Sequence, residues 1–229
     1  MKASCDSKVR QFKSHKNSTG HMTGKGSGGC VETTAACESV CYVDNTFRYP
    51  TVKSFLDSNL QELLQCKTVE DYVELYAPLV RSAEAQYKRA LNRVTGKELR
   101  RLKQRGHIFR WQWAGDIITI EHAQAFNKIA LMFPETSFWL YTRTWWAVGQ
   151  MKANNLDVFL SVDGDNSPTM RKVAEMNPHT RQAFMTDKPL GLGVVCPATN
   201  GKLQTEGACN TCGLCYGNKD VNIEFLIHN

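Results

Sequence analysis

Three consecutive segments in the second half of the chain decide the fold. Residues 107–116 are HIFRWQWAGD, residues 137–143 are SFWLYTR and residues 156–163 are LDVFLSVD. Each is a short apolar or aromatic run that ends in a charged side chain, a pattern typical of a buried strand. Segments of helical character separate them, and this alternation predicts βα units with a mainly parallel sheet.

The same reading extends over the rest of the chain. The predicted strands span 8–13, 107–113, 137–142, 156–162, 182–186 and 221–227. The predicted helices span 51–66, 68–94, 119–133, 145–154 and 167–176. We expect Pro78 to kink or divide the second of these helices. Residues 16–29, rich in Gly, Ser and Thr, are predicted to form a long flexible loop.

These elements predict an α/β protein with an incomplete parallel βα barrel. We expect one domain, 1–229, with four parts. They are an N-terminal strand and cysteine loop (1–50), a helical insertion (51–106), a βα core (107–190) and a Cys-rich, cluster-binding C-terminal region (191–229).

Composition bounds the class of protein. The chain has 229 residues, 42% hydrophobic and 22% charged, which is an ordinary globular balance. It contains no apolar run long enough to cross a membrane and no secretory signal, so we expect a soluble, cytoplasmic protein without a membrane partner. In a reducing compartment, clustered cysteines are metal ligands or redox groups more often than disulfides.

The C-terminal cysteines have ferredoxin-like spacing. Cys209, Cys212 and Cys215 follow one another at two-residue intervals, and the remote Cys196 precedes a proline. This arrangement matches the ligand pattern of a bacterial [4Fe–4S] site. Zinc is the alternative occupant, because four thiolates also make a closed tetrahedral site. A region without any metal is the third interpretation.

The N-terminal cysteines form a smaller group. Cys30, Cys37 and Cys41 supply three thiolates, so a [4Fe–4S] cluster held there keeps one iron open for a substrate or cofactor. Cys5, a histidine such as His15 or His21, or a water molecule is the alternative fourth ligand. A zinc site or an unligated site also stays open as an interpretation.

Charged residues follow the predicted strands. Asp116, Arg143 and Asp163 each stand where a strand ends. Because the carboxyl ends of parallel strands form the working face of βα folds, we expect these side chains to orient a small-molecule ligand by hydrogen bonding and charge. The alternative is that the aspartates cap the next helix.

A basic stretch runs from Arg89 to Arg105. Its cations are Arg89, Arg93, Lys97, Arg100, Arg101, Lys103 and Arg105. Such a patch could bind nucleic acid or an acidic surface of a host protein. The alternative is a solvated helix face followed by a basic loop.

These motifs together resemble a known family. They are Cys30, Cys37, Cys41-Tyr42, Trp113-Ala114-Gly115-Asp116, Phe138-Trp139-Leu140-Tyr141-Thr142-Arg143, Cys196-Pro197 and Cys209-x2-Cys212-x2-Cys215. The combination resembles the bacteriophage "gene product eighty-eight" family. That family looks like a distant, shortened relative of radical S-adenosylmethionine enzymes, which use a partial βα barrel and a three-cysteine [4Fe–4S] cluster.

The resemblance implies roles for these residues. It maps Cys30, Cys37 and Cys41 onto the ligands of a catalytic cluster, and the four C-terminal cysteines onto an auxiliary cluster. Gly115 and Asp116 would bind the cofactor S-adenosylmethionine. The implied setting is the cytoplasm of a phage-infected bacterium, with an electron donor as partner. The alternative function is a non-enzymatic iron–sulfur or zinc-stabilised module that binds nucleic acid or a host protein.

Overall fold

An all-parallel sheet of six strands forms the centre of the protein. The computed structural model describes residues 1–24, 27–203, 206–217 and 220–227. Parts of the predicted loop 16–29 and of the region 191–229 therefore lie outside the described residues. The strands are β1 (His107–Arg110), β2 (Thr136–Thr142), β3 (Leu156–Val162), β4 (Arg181–Thr186), β5 (Val194–Val195) and β6 (Ile223–Leu226).

The strand order is β1-β2-β3-β4-β6-β5, and the sheet curls into an open half-barrel. Neighbouring strands place apolar residues side by side. Phe109 is the partner of Phe138, and Leu140 is the partner of Val158. The predicted incomplete parallel barrel is confirmed at this level of description. β6 lies inside the sheet, although it is the last strand in the chain.

Seven α-helices connect and cover the described strands. They are α1 (Ala35–Ser39), α2 (Pro50–Gln65), α3 (Val69–Leu91), α4 (Gly96–Arg105), α5 (Ile120–Met132), α6 (Ser167–Met176) and α7 (Ala208–Cys212). Two 3-10 helices span Asp44–Thr46 and Trp145–Gln150. None of the helices in the described part of the chain is long and apolar enough to cross a membrane.

Helices α2, α3, α5 and α6 pack on one face of the sheet and enclose the main core. Trp111 stacks against Phe126 and Phe138, with ring centroids 4.4 and 5.4 Å apart. All three side chains are fully buried. Burial of one such side chain contributes about 1.5–3 kcal/mol, so this aromatic stack is a main attachment of α5 to the sheet.

The opposite face of the sheet carries a second, smaller core. Trp139 and Tyr141 alternate with the residues of the main core along β2, so their side chains point the other way. Phe159 and Ile223 belong to the same opposite face. The connection from β5 to β6, which contains the C-terminal cysteines, covers these residues.

The N-terminal segment differs from its prediction. Residues 8–13 form turns and bends instead of a strand. The predicted flexible loop contains the segment 17–22, here called the edge segment, which is buried and runs beside β1. Arg110 donates to the Asn17 carbonyl at 3.0 Å, and Thr19 donates to the Arg110 carbonyl at 3.1 Å. The polar composition of the edge segment suggested solvent exposure. In the structure, its backbone N–H and C=O groups form hydrogen bonds with the backbone of β1 instead.

Other boundaries also differ from the sequence-based expectations. Helix α3 continues through Pro78, which does not divide it, because packing of its buried face compensates for the missing hydrogen bond. The predicted helix at 145–154 is a 3-10 helix that ends at Gln150. β1 ends at Arg110, and Gln112 has a φ of +48° that interrupts extended backbone. The alternative interpretation of the basic stretch placed a basic loop after a helix face, but residues Gly96–Arg105 form helix α4.

Candidate functional site

The three N-terminal cysteines lie on one loop, residues 29–42, here called the cysteine loop. It starts where Asp116 donates its backbone N–H to the Gly29 carbonyl at 2.8 Å. Farther along, the Thr34 hydroxyl donates to Asp163 Oδ2 at 2.7 Å. Asp116 and Asp163 follow β1 and β3, so the loop crosses the carboxyl ends of the sheet.

Two further contacts attach the cysteine loop. The backbone N–H of Ala36 donates to Asp165 Oδ2 at 2.9 Å, and Trp146 Nε1 donates to Glu32 Oε1 at 2.7 Å. Short helix α1 begins here because Thr34 accepts a hydrogen bond from the Cys37 backbone. The loop is therefore fixed by a backbone N–H that follows β1 and by side chains that follow β2 and β3.

Asp116 is a buried structural acceptor at the end of β1. It accepts hydrogen bonds from the Thr142 hydroxyl at 2.5 Å, from the Arg143 backbone at 2.7 Å and from the Ile117 backbone at 2.7 Å. Burial raises its pKa, although these three hydrogen bonds act in the opposite direction. The carboxylate thus joins β1 to the end of β2.

Arg143 and Asp163 form an ion pair beside the cysteine loop. Arg143 Nε lies 3.2 Å from Asp163 Oδ2. Asp163 also accepts from the backbones of Asp165 and Asn166. Arg143 acts electrostatically on Cys37 and lowers the pKa of that thiol, which burial raises more strongly. The structure therefore brings Asp116, Arg143 and Asp163 together with the cysteine loop.

The N-terminal thiols share one environment. Burial, with smaller contributions from the negative charge of Asp116, Cys37 and Cys41, raises the pKa of Cys30 to about 12. Cys37 interacts electrostatically with Cys41 and with Asp163. The three thiols predicted as ligands therefore act on one another electrostatically.

Gly115 and His21 lie next to the start of the cysteine loop. Gly115 has a φ of +83°, and a Cβ added to it would lie 2.2 Å from His21 Nε2. That nitrogen makes a 2.9 Å hydrogen bond to the Gly29 carbonyl, where it must be the donor. His21, one of the alternative fourth ligands, therefore packs between the strand end and the start of the loop.

The other alternative fourth ligands are engaged elsewhere. His15 Nε2 hydrogen-bonds to the Ala83 carbonyl of α3 at 3.1 Å. The Cys5 sulfur lies 3.8 Å from Arg10 Nη1.

The C-terminal cysteines lie against the second core. Cys209 and Cys215 pack with Trp139, Tyr141 and Tyr216. Cys196 packs with Phe159 and Ile223, and Cys215 contacts this group as well. The thiols are therefore set between aromatic side chains on the face of the sheet, and not at its carboxyl edge.

These four thiols also share one environment. Burial is the main cause that raises the pKa of Cys209 to about 11 and that of Cys215 to about 12. The negative charge of Cys196 and Cys212 contributes to both shifts. A hydrogen bond from Tyr141 acts in the opposite direction on Cys215.

Two arginines hold the backbone of the C-terminal cysteines. Arg181 donates to the Leu214 carbonyl at 3.2 Å, to the Cys215 carbonyl at 3.3 Å and to Asp157 at 2.7 Å. Arg105 of α4 donates to the Thr211 carbonyl at 2.6 Å. These contacts fix the segment although it contains little regular structure.

Glycine is required at one turn of this segment. Gly213 ends α7 with a φ of +67°. A Cβ at this position would lie 2.2 Å from Arg105 Nη1. Left-handed backbone and the close guanidinium both exclude a side chain here.

The donor chemistry of both groups suits soft metals or iron–sulfur clusters. All nine cysteines are free thiols. Within 1–24, 27–203, 206–217 and 220–227, no three His, Cys, Asp or Glu side chains are arranged to hold a metal ion. The assignment of a metal or cluster to these cysteines therefore stays a prediction from their number and spacing in the sequence.

Sequence reasoning missed several residues of these sites. Thr34, Arg110 and Tyr141 were not singled out as site residues, yet each contacts a cysteine group or its supporting side chains. Their only sequence signal was position, because Arg110 and Tyr141 alternate toward the face that the C-terminal cysteines cover. Nothing in the sequence showed which face that was.

Comparisons with known proteins identify the family. The family profile described as Gene product 88 matches residues 8–218. The chain is 26% identical to the Gene 88 protein of Mycobacterium phage L5 over 214 residues, which cover 89% of this chain and 84% of the relative. It is 27% identical to the Gene 88 protein of Mycobacterium phage D29, with 90% and 85% covered. No solved structure gives a significant match. The chain therefore belongs to the Gene product 88 family.

Proposed function

We propose that this protein binds two iron–sulfur clusters, one at each cysteine group. One observation supports the proposal: seven of the nine cysteines fall into two groups, Cys30 to Cys41 and Cys196 to Cys215, and the thiols of each group interact electrostatically with one another. Free, half-buried thiols grouped in this way are unusual unless they serve a metal or redox role.

The N-terminal centre would be the reactive one. Cys30, Cys37 and Cys41 would hold a [4Fe–4S] cluster through three thiolates and keep one coordination position for a ligand. Such a cluster supplies an electron and an open iron. S-adenosylmethionine is the proposed ligand, because the sequence motifs resemble those of radical S-adenosylmethionine enzymes.

The protein's own groups around that position would orient the ligand. Within the described ranges, the Arg143 side chain donates a hydrogen bond through Nε alone. Its two terminal nitrogens can therefore donate hydrogen bonds to an anionic group of the ligand. Asp163 holds the guanidinium in place. Asp116 and Gly115 would lie next to the ligand without binding it through a free group. The Asp116 carboxylate already accepts a hydrogen bond from Thr142, and a side chain at Gly115 would clash with His21.

The C-terminal centre would be closed. Cys196, Cys209, Cys212 and Cys215 supply four thiolates, which leave no position for a substrate. Aromatic side chains would line part of this centre. This centre would store or relay an electron for the N-terminal one.

Metal content of anaerobically purified protein tests the proposal. We expect a brown protein, and about half of its iron and sulfide should be lost in Cys209→Ser/Cys212→Ser and in Cys30→Ser/Cys37→Ser. Cys66→Ser changes a cysteine outside both groups and is the matched control. It should retain the full iron and sulfide content of the unmodified protein. Zinc alone, or iron unaffected by either double variant, would contradict the proposal.

The enzymatic part has its own test. Reduced protein should cleave added S-adenosylmethionine, and Arg143→Met should weaken its binding by about tenfold or more through loss of a charged hydrogen bond. Binding measured by equilibrium dialysis separates affinity from turnover. Intact clusters without binding or cleavage would limit the function to electron transfer.

Nucleic acid binding is the second candidate. Helix α4 buries only Leu102 and exposes Lys97, Arg100, Arg101 and Lys103. Arg105 of the same helix donates to the C-terminal cysteine segment, so a bound phosphate backbone would lie beside that centre.

A salt titration tests this second candidate. Affinity for duplex DNA should fall steeply with salt, and Arg100→Ala/Arg101→Ala should reduce the slope by about 2. Arg171→Ala/Lys172→Ala changes an equally exposed pair on α6 and is the matched control. Equal slopes for both variants would exclude α4 as the contact surface.

A further inference from the structure

The positive charge of the chain is concentrated in two segments, residues 8–16 and 88–105. They contain 12 of the 28 Lys and Arg residues and one of the 22 Asp and Glu residues. The rest of the chain therefore has 16 cations against 21 anions and is acidic overall. A basic region on an otherwise acidic protein indicates a polyanionic partner for that region.

The fold joins these two segments, although helix α2 and most of α3 lie between them in the sequence. The side chain of Gln11 is buried, and its Nε2 donates to the Gly106 carbonyl at 2.7 Å. Its Oε1 accepts from the Ile108 backbone at 3.2 Å. Phe12 packs against Leu102 of α4 and against the end of α3. The N-terminal segment is therefore fixed beside α4.

The exposed cations of residues 8–16 and 88–105 form one region, here called the basic surface. Ten of the twelve cations are exposed, and Arg10 and Arg105 are half-buried. Lys88 pairs with Glu84 at 2.9 Å, whereas the other nine exposed cations form no ion pair with a described residue. Their charge is therefore available to a partner.

The basic surface offers charge without apolar area. None of the exposed large apolar or aromatic side chains in the described part of the chain lies in these two segments. Proteins that hold single-stranded nucleic acid stack its bases on aromatic side chains, and protein interfaces have an apolar core. A duplex keeps its bases stacked inside and presents phosphates outside. The surface therefore fits a duplex.

The attachment of α4 favours DNA over RNA. Leu102 is the only buried residue of this helix, so α4 is held along one side and projects from the basic surface. A helix with its side chains is about 10–12 Å wide, and the major groove of B-form DNA is about 12 Å wide. The major groove of an A-form RNA duplex is deep and narrow.

We propose that the basic surface binds duplex DNA, with α4 in the major groove and Lys13 and Lys16 on the phosphates beside it. The inference rests on the second candidate function, nucleic acid binding at α4. It deepens that candidate by naming the form of the nucleic acid and by adding the N-terminal segment to the contact. It does not depend on a metal at either cysteine group.

Competition among three nucleic acids of equal length tests the form. Fluorescence anisotropy at one salt concentration should give an affinity for a B-form DNA duplex at least about tenfold higher than for an RNA duplex or for single-stranded DNA. Equal affinity for the RNA duplex would overturn the placement of α4 in the groove. Tighter binding of the single strand would overturn the assignment to a duplex.

A salt titration tests the N-terminal segment. Lys13→Ala/Lys16→Ala should lower the slope of log affinity against log salt by about 2, because each lost phosphate contact removes about 0.9. Lys152→Ala/Lys188→Ala changes two exposed lysines outside the basic surface and is the matched control, with an unchanged slope. All four side chains are exposed, so both variants should fold. Equal slopes for the two variants would overturn the two-segment contact.

The outcomes distinguish this inference from the candidate on which it rests. Absence of binding to every nucleic acid would overturn both. A slope that falls in Arg100→Ala/Arg101→Ala but not in Lys13→Ala/Lys16→Ala would overturn the contribution of the N-terminal segment and leave nucleic acid binding at α4 standing.

Discussion

The two cysteine groups are supported by different kinds of structure. The cysteine loop is attached to the carboxyl edge of the sheet through polar side chains such as Asp163 and Thr34. The C-terminal cysteines are packed against aromatic rings on the face of the sheet. Hydrogen bonds hold the first group and packing against rings holds the second, so similar half-buried thiols are fixed in two physically different ways.

Acid should destabilise the protein through the first 122 residues. Four fully or nearly fully buried histidines lie there: His15, His21, His107 and His122. Burial lowers the pKa of His15 and His21 to about 4 and that of His107 to about 3, and it lowers that of His122 as well.

The sign of the pH effect follows from these shifts. The unfolded chain binds protons below about pH 6.5, whereas the folded protein does not until about pH 4. Stability is therefore complete above pH 6.5 and is lost as the pH falls, by about 2 kcal/mol for each of His15, His21 and His107 at pH 5. Urea unfolding of metal-free protein at pH 7.5 and 5 measures this loss. Equal midpoints would contradict it.

Loss of Arg181 should loosen the C-terminal group. Arg181 pairs with Asp157, with both side chains buried, and donates to two carbonyls of the cysteine segment. Arg181→Ala should lower the free energy of unfolding by about 3–5 kcal/mol, because the buried Asp157 carboxylate loses this partner. Urea unfolding measures the loss, and Lys88→Ala, at an exposed pair with Glu84, should change stability by less than about 0.5 kcal/mol.

Gly115→Ala should disturb the cysteine loop. The added Cβ meets the His21 ring at 2.2 Å, and a φ of +83° is unfavourable for alanine, so we expect a loss of about 2–4 kcal/mol. Gly164→Ala is the matched control, because it follows β3 with nothing within 4 Å of its added Cβ. Thermal unfolding compares the two variants. Similar midpoints would show that the His21 contact is not restrictive.

The smallest effect is expected at the surface. Lys128 and Glu70 form an exposed 2.6 Å ion pair between α5 and α3. Lys128→Ala should change stability by less than about 1 kcal/mol, and high salt should remove the difference. Unfolding at two salt concentrations is the measurement. A larger loss would mean that the contact between these helices depends on more than packing.

Sequence patterns predicted the parts of the fold that rest on periodicity. The strands of Phe138 and Phe159 were placed correctly because apolar runs bounded by charge indicate buried parallel strands. The edge segment was predicted wrongly because its polar residues resemble a loop, while its hydrogen bonds to β1 depend on tertiary contacts. Local propensity could not report those contacts.

The candidate sites were predictable in part for the same reason. Spacing within the chain grouped Cys209, Cys212 and Cys215, and strand ends indicated Asp116 and Asp163. Assignment of iron–sulfur clusters to these cysteines stays a prediction. The sequence could not show that Arg110 and Tyr141 lie on the face covered by the C-terminal cysteines, because that depends on which segment covers each face of the sheet.

The interior position of β6 bears on how the protein is made. β6 pairs with β4 on one side and with β5 on the other, so neither contact exists until residue 226 has been synthesised. Until then, Cys196 lacks its backbone hydrogen bond to Glu224, and the β5–β6 connection has no second end. Ordering of the C-terminal thiols against the sheet must therefore wait for the synthesis of β6, whereas the cysteine loop can dock on β1 to β3 before β6 has been made.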